Sequence, residues 1–482
     1  MQGIWTTQHI RTAEERLLAA TPEGALMQRA AFGIAVHAAR MLAAHTGHVA
    51  GSRVALLVGA GNNGGDALWA GSFLRKRGVG VTAVLLKPDK AHPAGLAALR
   101  RAGGRVAGDG QGALEDADLV IDGIVGLSAR GALREDAAAL LPHISGPVLA
   151  VDLPSGVDPD TGMVHGPAIT ATATVTFGAR KLVHVLNPAR CGEVVLVDIG
   201  LVPELGEPDL RELDAVDVGV AWPVPGPEDD KYSQGVTGIA AGSATYPGAA
   251  VLATGSSVLG TSGMVRYAGP AADVVRSRWP EVVATGSVTD AGRVQAWVVG
   301  PGIGTGQEGR GVLRQVLEAG VPVCADADAT TLLAHHPDVL DGRDPGTPLV
   351  LTPHAGEFAR LTGAEPGEDR VRAVREAARK YDAVVLLKGN TTLVAAPDGR
   401  VLANVARGSW LATAGSGDVL SGLLGSLLAS GLDPWLAAGA AAYVHSLAAD
   451  LAARNAPVSA SGVVAAIPAA IRQVRRLGVG TR

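Results

Sequence analysis

Two glycine-rich loops in this chain each end in an aspartate: Gly-Ala-Gly-Asn-Asn-Gly-Gly-Asp at 59–66 and Ala-Gly-Ser-Gly-Asp at 414–418. Each lies where an apolar run of strand character gives way to one of helical character. In α/β proteins that junction holds phosphates, because free backbone N–H groups converge there. A carboxylate beside such an anion cradle can move a proton, so two loops of this kind predict two active sites. In the second loop Gly415 and Gly417 place amides at a helix N-terminus, where developing phosphate charge is stabilised, and Asp418 falls in the first turn. There Asp418 can take the proton of a hydroxyl that attacks a phosphoryl group. Capping alone also explains an aspartate at that position.

The first half offers a second constellation. Loops end the apolar runs at 54–58, 119–121 and 148–151, and they carry Gly59 to Asp66, Asp122 to Gly126, and Asp152-Leu-Pro-Ser-Gly156. In an open parallel sheet these strand ends share one rim. Asn63, Asp122 and Ser155 then offer oxygens to one hard cation, monovalent or weakly held because a single carboxylate is present. Asp152 falls beside a ligand lying across residues 62–66. The competing reading, tight turns and helix caps, fits any one loop taken alone. Three polar loops on one rim argue against it. In the second half Lys388, within Lys-Gly-Asn-Thr-Thr, supplies a counter-charge for phosphate. His354, between Pro353 and Gly356, is expected on a tight exposed loop where it meets a ligand.

These residues need a scaffold. From 7 to 45 the pattern is helical with a break at Pro22, and strands are then expected at 54–58, 79–86, 119–121, 148–151, 172–177 and 194–198. Their spacing allows crossover helices and so a mostly parallel sheet. Between about 201 and 230 the chain turns acidic and proline-rich, which predicts a linker. A second series of strands is expected at 238–241, 296–299, 321–325, 349–351, 384–387 and 392–395. The expected organisation is an N-terminal Rossmann-like, doubly wound α/β domain (1–210), a linker (211–229), and a second α/β domain (230–482).

Composition agrees with that scaffold. At 482 residues the chain exceeds what one core usually supports. Only 3% of residues are aromatic against 47% apolar, so the cores are built from Ala, Val and Leu. A net charge of −5 without a long basic run argues against a nucleic-acid partner. No stretch reaches about 18 uninterrupted apolar residues, which argues against a membrane-embedded chain. Cys191 and Cys324 fall in different halves and outside any metal-ligand spacing. A reducing, cytoplasmic setting is expected.

At this point the residues carry a resemblance. Residues from about 7 to 205 resemble the NAD(P)H-hydrate epimerase family through GAGNNGGD (59–66), DGIVGLSARG (122–131), VDLPSGVDPDTG (151–162) and FGARKL (177–182). The resemblance implies that Asn62, Asn63, Gly64, Gly65 and Asp66, then Gly126, Leu127, Ser128, Ala129, Arg130, Gly131 and Ala132, and finally Asp152 bind a hydrated nicotinamide dinucleotide, NADHX or NADPHX. It implies that Asn63, Asp122 and Ser155 hold potassium. Asp152 is the expected acid/base, because epimerisation needs a reversible proton shuttle. Lys181 can assist through its charge, but a lysine at a strand end is expected to be solvated. The sequence departs from the family at Ala67 and the Leu-Trp-Ala-Gly that follows.

Residues from about 231 to 475 resemble the ADP/ATP-dependent NAD(P)H-hydrate dehydratase family, a branch of the ribokinase-like fold. The matching segments are KYSQG (231–235), GSATYPGAAVL (242–252), VGPGIG (299–304), DADA (326–329), LTPHAGEF (351–358), LKGNTT (387–392) and LATAGSGDVLSG (411–422). Ala250, Gly302, His354 and Asp418 are thereby implied to contact the hydrated cofactor, and Lys388, Gly389, Asn390, Thr391, Thr392 and Gly417 the nucleotide, with magnesium. Arg407-Gly-Ser-Trp410 stands where many relatives carry a Gly-Asn pair. Together the resemblances imply a bifunctional enzyme that repairs hydrated NADH and NADPH, using ADP or ATP as phosphoryl donor, and a homo-oligomer. The alternatives are a ribokinase-like small-molecule kinase with an N-terminal dinucleotide-binding module, and a first domain that only binds.

Overall fold

The structure is a computed structural model that describes residues 1–128 and 130–479. It divides into two compact units, Gly3–Leu210 and, with Met1–Gln2, Arg211–Arg482.

In the first unit, strands β1 (Arg53–Val58), β2 (Gly80–Leu85), β3 (Arg105–Val106), β4 (Leu119–Gly123), β5 (Val148–Val151), β6 (Ala173–Phe177) and β7 (Glu193–Val197) form one sheet. The spatial order is β3-β2-β1-β4-β5-β6-β7 and every pairing is parallel. The order reverses at β1 and β4, so the loops after these strands diverge and leave a crevice at the carboxyl rim. Strands β1, β4, β5 and β6 are almost wholly buried, and Val, Leu, Ile and Ala make up most of them, as a sheet covered on both faces demands. The helical pattern at the N-terminus resolves into helices Thr7–Ala19 and Ala25–Thr46, with Pro22 in the gap.

The second unit holds strands β8 (Leu210–Glu212), β9 (Val236–Ala240), β10 (Met264–Ala268), β11 (Val283–Thr285), β12 (Ala296–Val299), β13 (Val323–Ala325), β14 (Leu349–Leu351), β15 (Val384–Leu387), β16 (Thr391–Ala395) and β17 (Val401–Val405). The order is β11-β10-β9-β12-β13-β14-β15-β16-β17-β8. Pairing is parallel through β15, and β15, β16 and β17 then run antiparallel. Helix Ser416–Ala429 packs on this sheet. A side chain at Gly425 would meet Val298 Cγ2 at 2.2 Å, and one at Gly422 would meet the Ala253 carbonyl of helix Pro247–Val258 at 2.0 Å. These two glycines let the helix that begins at the Asp418 loop seat closely on both neighbours.

The stretch 211–229 is not a linker throughout. Strand β8 pairs in parallel with β17, and helix Ala215–Ala221 opens on an Asp214/Asp217 capping box. Val218 and Trp222 are buried, and Gly219 lies so close to helix Ala460–Val479 that a Cβ would fall 2.0 Å from the Val474 carbonyl. Proline and acid content hid a short element that buries Val218 and leaves Val220 exposed. One helix among the described residues, Pro434–Ala453, is long and apolar enough to cross a membrane, and 78% of its most apolar window is buried within the fold.

Candidate active sites

At the rim of the first sheet, glycine does steric work. A Cβ at Gly59 would lie 1.8 Å from the Ile124 carbonyl, and one at Gly126 would lie 2.2 Å from Asn63 Oδ1. The loops after β1 and β4 therefore press together, and the helix Asn62–Arg75 starts inside the expected phosphate loop. Ala67 is buried with its methyl against Gly123, so the departure there falls on a packing position.

The rim encloses a cavity of about 870 Å³. Asn62, Asn63, Asp66, Gly126, Leu127, Ser128, Arg130, Gly131, Ala132 and Asp152 line it. Ala129 lies outside the described residues. Gly64 and Gly65 are buried in the first turn of the helix, and neither is among the lining residues. Four cations, Arg11, Lys87, Arg130 and Arg134, face the cavity together with the carboxyl groups of Glu14, Asp66, Asp136 and Asp152. The cations suit an anionic ligand. Arg11 and Glu14 come from the N-terminal helix and were missed in the sequence. Their spacing to Leu18, i, i+3 and i+7, marks one helical face and was the available signal.

Asp152 follows β5 and has φ +70°, a left-handed conformation that an aspartate adopts under constraint. Lys181 is fully buried rather than solvated, which corrects the expectation. Its Nζ donates to Asp152 Oδ1 at 2.5 Å, Thr176 Oγ1 at 2.8 Å and the Phe177 carbonyl at 3.1 Å. A carboxylate and three acceptors make burial of the ammonium tolerable, which a strand-end position alone does not reveal. His184 completes the shell. The Lys181 N–H donates to His184 Nδ1, so Nε2 carries the proton and donates to the Asp152 carbonyl at 2.9 Å. Burial, and then the Lys181 charge, push His184 down to about 3, which keeps it neutral. Burial, followed by the Asp152 and Glu14 charges, holds the Asp66 carboxyl well above the usual range. Burial likewise raises Glu14 to about 7, opposed by Lys181.

Asp122 and Ser155 bond to one another directly, and Asn63 is linked to Ser155 through Val125, whose carbonyl lies 3.4 Å from Asn63 Nδ2 and whose N–H donates to Ser155 Oγ at 3.2 Å. Asp122 accepts from Ser155 Oγ at 2.7 Å, Ser155 N at 2.8 Å and Ile124 N at 3.2 Å, while Asn63 Nδ2 donates to the Val151 carbonyl at 2.7 Å. Burial raises Asp122 to about 6. No lysine or arginine pairs with it among the described residues.

In the second unit the expected residues also sit at strand ends. His354 follows β14 and Lys388 follows β15, and Asp326, which was not among the expected residues, follows β13. Gly302 (φ +67°) follows β12 and lies against Tyr246 and Ala249, beside the buried Ala250. His354 caps helix Ala355–Thr362: its Nδ1 accepts from Gly356 N at 3.0 Å and Glu357 N at 3.3 Å, and Nε2 of its exposed ring lies 3.4 Å from Glu357 Oε1. Lys388 is not a free counter-charge. Its Nζ donates to Asp326 Oδ1 at 2.7 Å and lies 3.6 Å from Glu357 Oε2. Gly389 is crowded by Arg370, which donates to the Thr391 carbonyl at 2.8 Å, and Asn390 accepts from Ala406 N at 2.8 Å. Thr392 Oγ1 turns back to the Gly389 carbonyl at 3.4 Å. A Cβ at Gly417 would fall 3.5 Å from Lys388 Nζ, so the nucleotide residues and the Asp418 loop converge. Burial, then the Asp326 charge, raises Asp418 to about 7. Arg407 stacks on Tyr443 and donates to its hydroxyl at 2.6 Å.

Comparison with known proteins agrees in both halves. The family model described as NAD(P)H-hydrate dehydratase matches residues 237–468, and that described as YjeF-related protein N-terminus matches 23–183. The bifunctional NAD(P)H-hydrate repair enzyme Nnr of Mycobacterium leprae is 54% identical over 98% of this chain and 99% of its own length. The enzyme of the same name from Mycobacterium tuberculosis is 56% identical over 90% of each chain. Among solved structures, the ADP/ATP-dependent NAD(P)H-hydrate dehydratase of Bacillus subtilis, co-crystallised with ATP and magnesium, is 27% identical with a TM-score of 0.50, covering 55% of this chain and 99% of that one. A ribokinase-like superfamily protein of Enterococcus faecalis, 22% identical over 56% of this chain and 98% of that one, with a TM-score of 0.51, shares the fold. With a family model matching each half and relatives matched end to end, this chain belongs to the family of bifunctional NAD(P)H-hydrate repair enzymes.

Proposed function

We propose that the first unit interconverts the R and S hydrates of NADH and NADPH and that the second dehydrates the S form, with ADP ending as AMP and phosphate. The carrying observation is the pair of strand-end sites on one chain, in a family whose members are named bifunctional NAD(P)H-hydrate repair enzymes.

In the first site the four cations around the cavity suit the pyrophosphate of a dinucleotide. Asp152 faces the ligand and exchanges the proton that opening and reclosing of the hydrated carbon requires. Lys181 fixes the carboxylate from behind. The buried Asp122 carboxylate, with the oxygens of Asn63 and Ser155, fits a potassium ion, because this all-oxygen set carries one negative charge and, among the described residues, no partner cation. Bound there, potassium supplies charge balance for the loops after β4 and β5.

In the second site hydroxide is a poor leaving group, and phosphorylation of the ring hydroxyl replaces it with phosphate. Asp418 takes the hydroxyl proton as the oxygen attacks the terminal phosphoryl group of ADP. The C–O bond then breaks as the ring nitrogen donates its electron pair, and loss of a proton from the adjacent ring carbon restores the dihydropyridine. Among the described residues no group of three His, Cys, Asp or Glu is placed to hold a metal. Magnesium would arrive on the nucleotide phosphates and would screen the transferring group. Ala250, Gly302 and His354 shape the hydrate side, and Lys388 with residues 389–392 and Gly417 the nucleotide side. A cytoplasmic setting and a homo-oligomer complete the reading.

The test is recovery of reduced-nicotinamide absorbance from an R/S mixture of hydrated NADH with potassium and magnesium. Complete recovery dependent on ADP supports both activities. A stall once the S fraction is consumed removes the epimerase, and no recovery with ADP or ATP removes the dehydratase.

A further inference from the structure

Three expected contact points of the second site, His354, Lys388 and the Asp418 loop, come from separate elements, and three side chains outside that set join them. Glu357 Oε2 accepts the His354 backbone N–H at 2.8 Å and lies 3.6 Å from Lys388 Nζ. Lys388 Nζ donates to Asp326 Oδ1 at 2.7 Å. The other Asp326 oxygen accepts from Ser421 Oγ at 2.7 Å, one turn beyond Gly417 and Asp418 in the same helix. Asp326 is 1% exposed and lies directly under the loop, 3.6 Å from where a Cβ at Gly417 would stand. We propose that Asp326 is a positioning residue for the dehydration: it clamps the Lys388 ammonium and the first turn of the Ser416–Ala429 helix, with Asp418, into one fixed arrangement.

The chemistry of the clamp is directional. A lysine has a long flexible stem, and an ammonium aimed at phosphate loses rotamer freedom unless something holds it. Burial alone would favour neutral Lys388, yet Asp326 and Glu357 outweigh it and raise the group, so the charge is kept. Burial likewise works against ionisation of Asp326, and Lys388 overcomes it and lowers the group. The charged groups acting on Asp418 are Asp326 and Asp328, which raise it, and Lys388, which lowers it. His445, buried beside the Ser416 backbone and pushed down to about 4, adds no charge at neutral pH. Removing the Asp326 charge leaves Lys388 less opposed near Asp418, so the base ionises at lower pH.

The inference rests on the dehydratase reading. The experiment compares Asp326→Asn with the wild-type chain in kcat and kcat/KM for ADP-dependent recovery of NADH from the S hydrate, across pH, alongside thermal melting. Expected are a fall in kcat of about 10²-fold, a raised KM for ADP, and an acid limb of the kcat/KM profile moved down by about one pH unit. If Asp326→Asn melts earlier but its folded fraction retains wild-type kcat and an unmoved limb, the residue is merely structural and the proposal is overturned. Ser421→Ala removes only the hydroxyl that reaches Asp326 Oδ2 at 2.7 Å and the Gly417 carbonyl at 3.0 Å, and covers the case in which the first variant does not fold. It is expected to lower kcat about tenfold, the size of a hydrogen bond to a charged group, and wild-type kinetics there would equally overturn the clamp. A wild-type chain inactive with both nucleotides would defeat the dehydratase reading itself, and the inference with it.

Discussion

Lys181 shows how one buried charge reorganises a site. It and Asp152 are 1% and 6% exposed as side chains and are bound at 2.5 Å. Lys181→Met leaves the Asp152 carboxylate buried without its cation. A cost of about 3–5 kcal/mol in stability is expected, read as a lower urea midpoint, together with loss of epimerisation. Asp418 gives the pH dependence. Its folded value of about 7 lies above the ordinary 3.8 of an aspartate, so between the two the folded protein holds a proton that the unfolded chain has released. This residue's contribution to stability therefore falls as pH rises through that window, while the ionised base accumulates. Dehydration measured with saturating ADP is expected to rise with pH through about 7, and a flat profile would remove Asp418 as the base.

Elements set these residues by close approach. The loop after β1 meets the loop after β4 because Gly59 has no side chain, and Gly59→Ala would force a methyl into the Ile124 carbonyl. Destabilisation of about 1–3 kcal/mol is expected from such overpacking, with a weakened dinucleotide affinity measurable by calorimetry. Strand β2 ends just before Lys87, which faces the cavity. In doubly wound sheets this strand end meets the adenosine ribose, where a basic side chain accommodates a 2′-phosphate. Lys87→Ala is expected to raise KM for epimerisation of hydrated NADPH several-fold while sparing hydrated NADH. Equal effects on both would place Lys87 on the shared pyrophosphate instead.

At the scale of the whole molecule, one chain carries two sites that act on the same damaged cofactor. Single substitutions should separate them. Asp152→Asn is expected to stop recovery of NADH once the S hydrate is spent, and Asp418→Asn to abolish recovery while R and S still interconvert, as chromatography of the hydrates would show. Much of this was legible in the sequence. The glycine loops, the aspartates that follow strands β4 and β5, and the His354 and Lys388 segments are local patterns, because a tight turn or a helix N-terminus is specified by neighbours along the chain. Strands with long apolar runs, such as β1 and β15, were legible for the same reason. Strands β10, β11 and β17 were not, since their polar positions break the apolar run and their assignment depends on the neighbouring strands. Helix Ala215–Ala221 was masked by the prolines around it. What the sequence determined by itself is which residues could do chemistry and which loops carry them. Only the tertiary structure decided their company: that Lys181 is buried against Asp152, that Arg11 and Glu14 reach the first cavity, and that Lys388 is held by Asp326. Ion pairs and burial between residues far apart in the chain follow from sheet order and packing, and no local pattern encodes them.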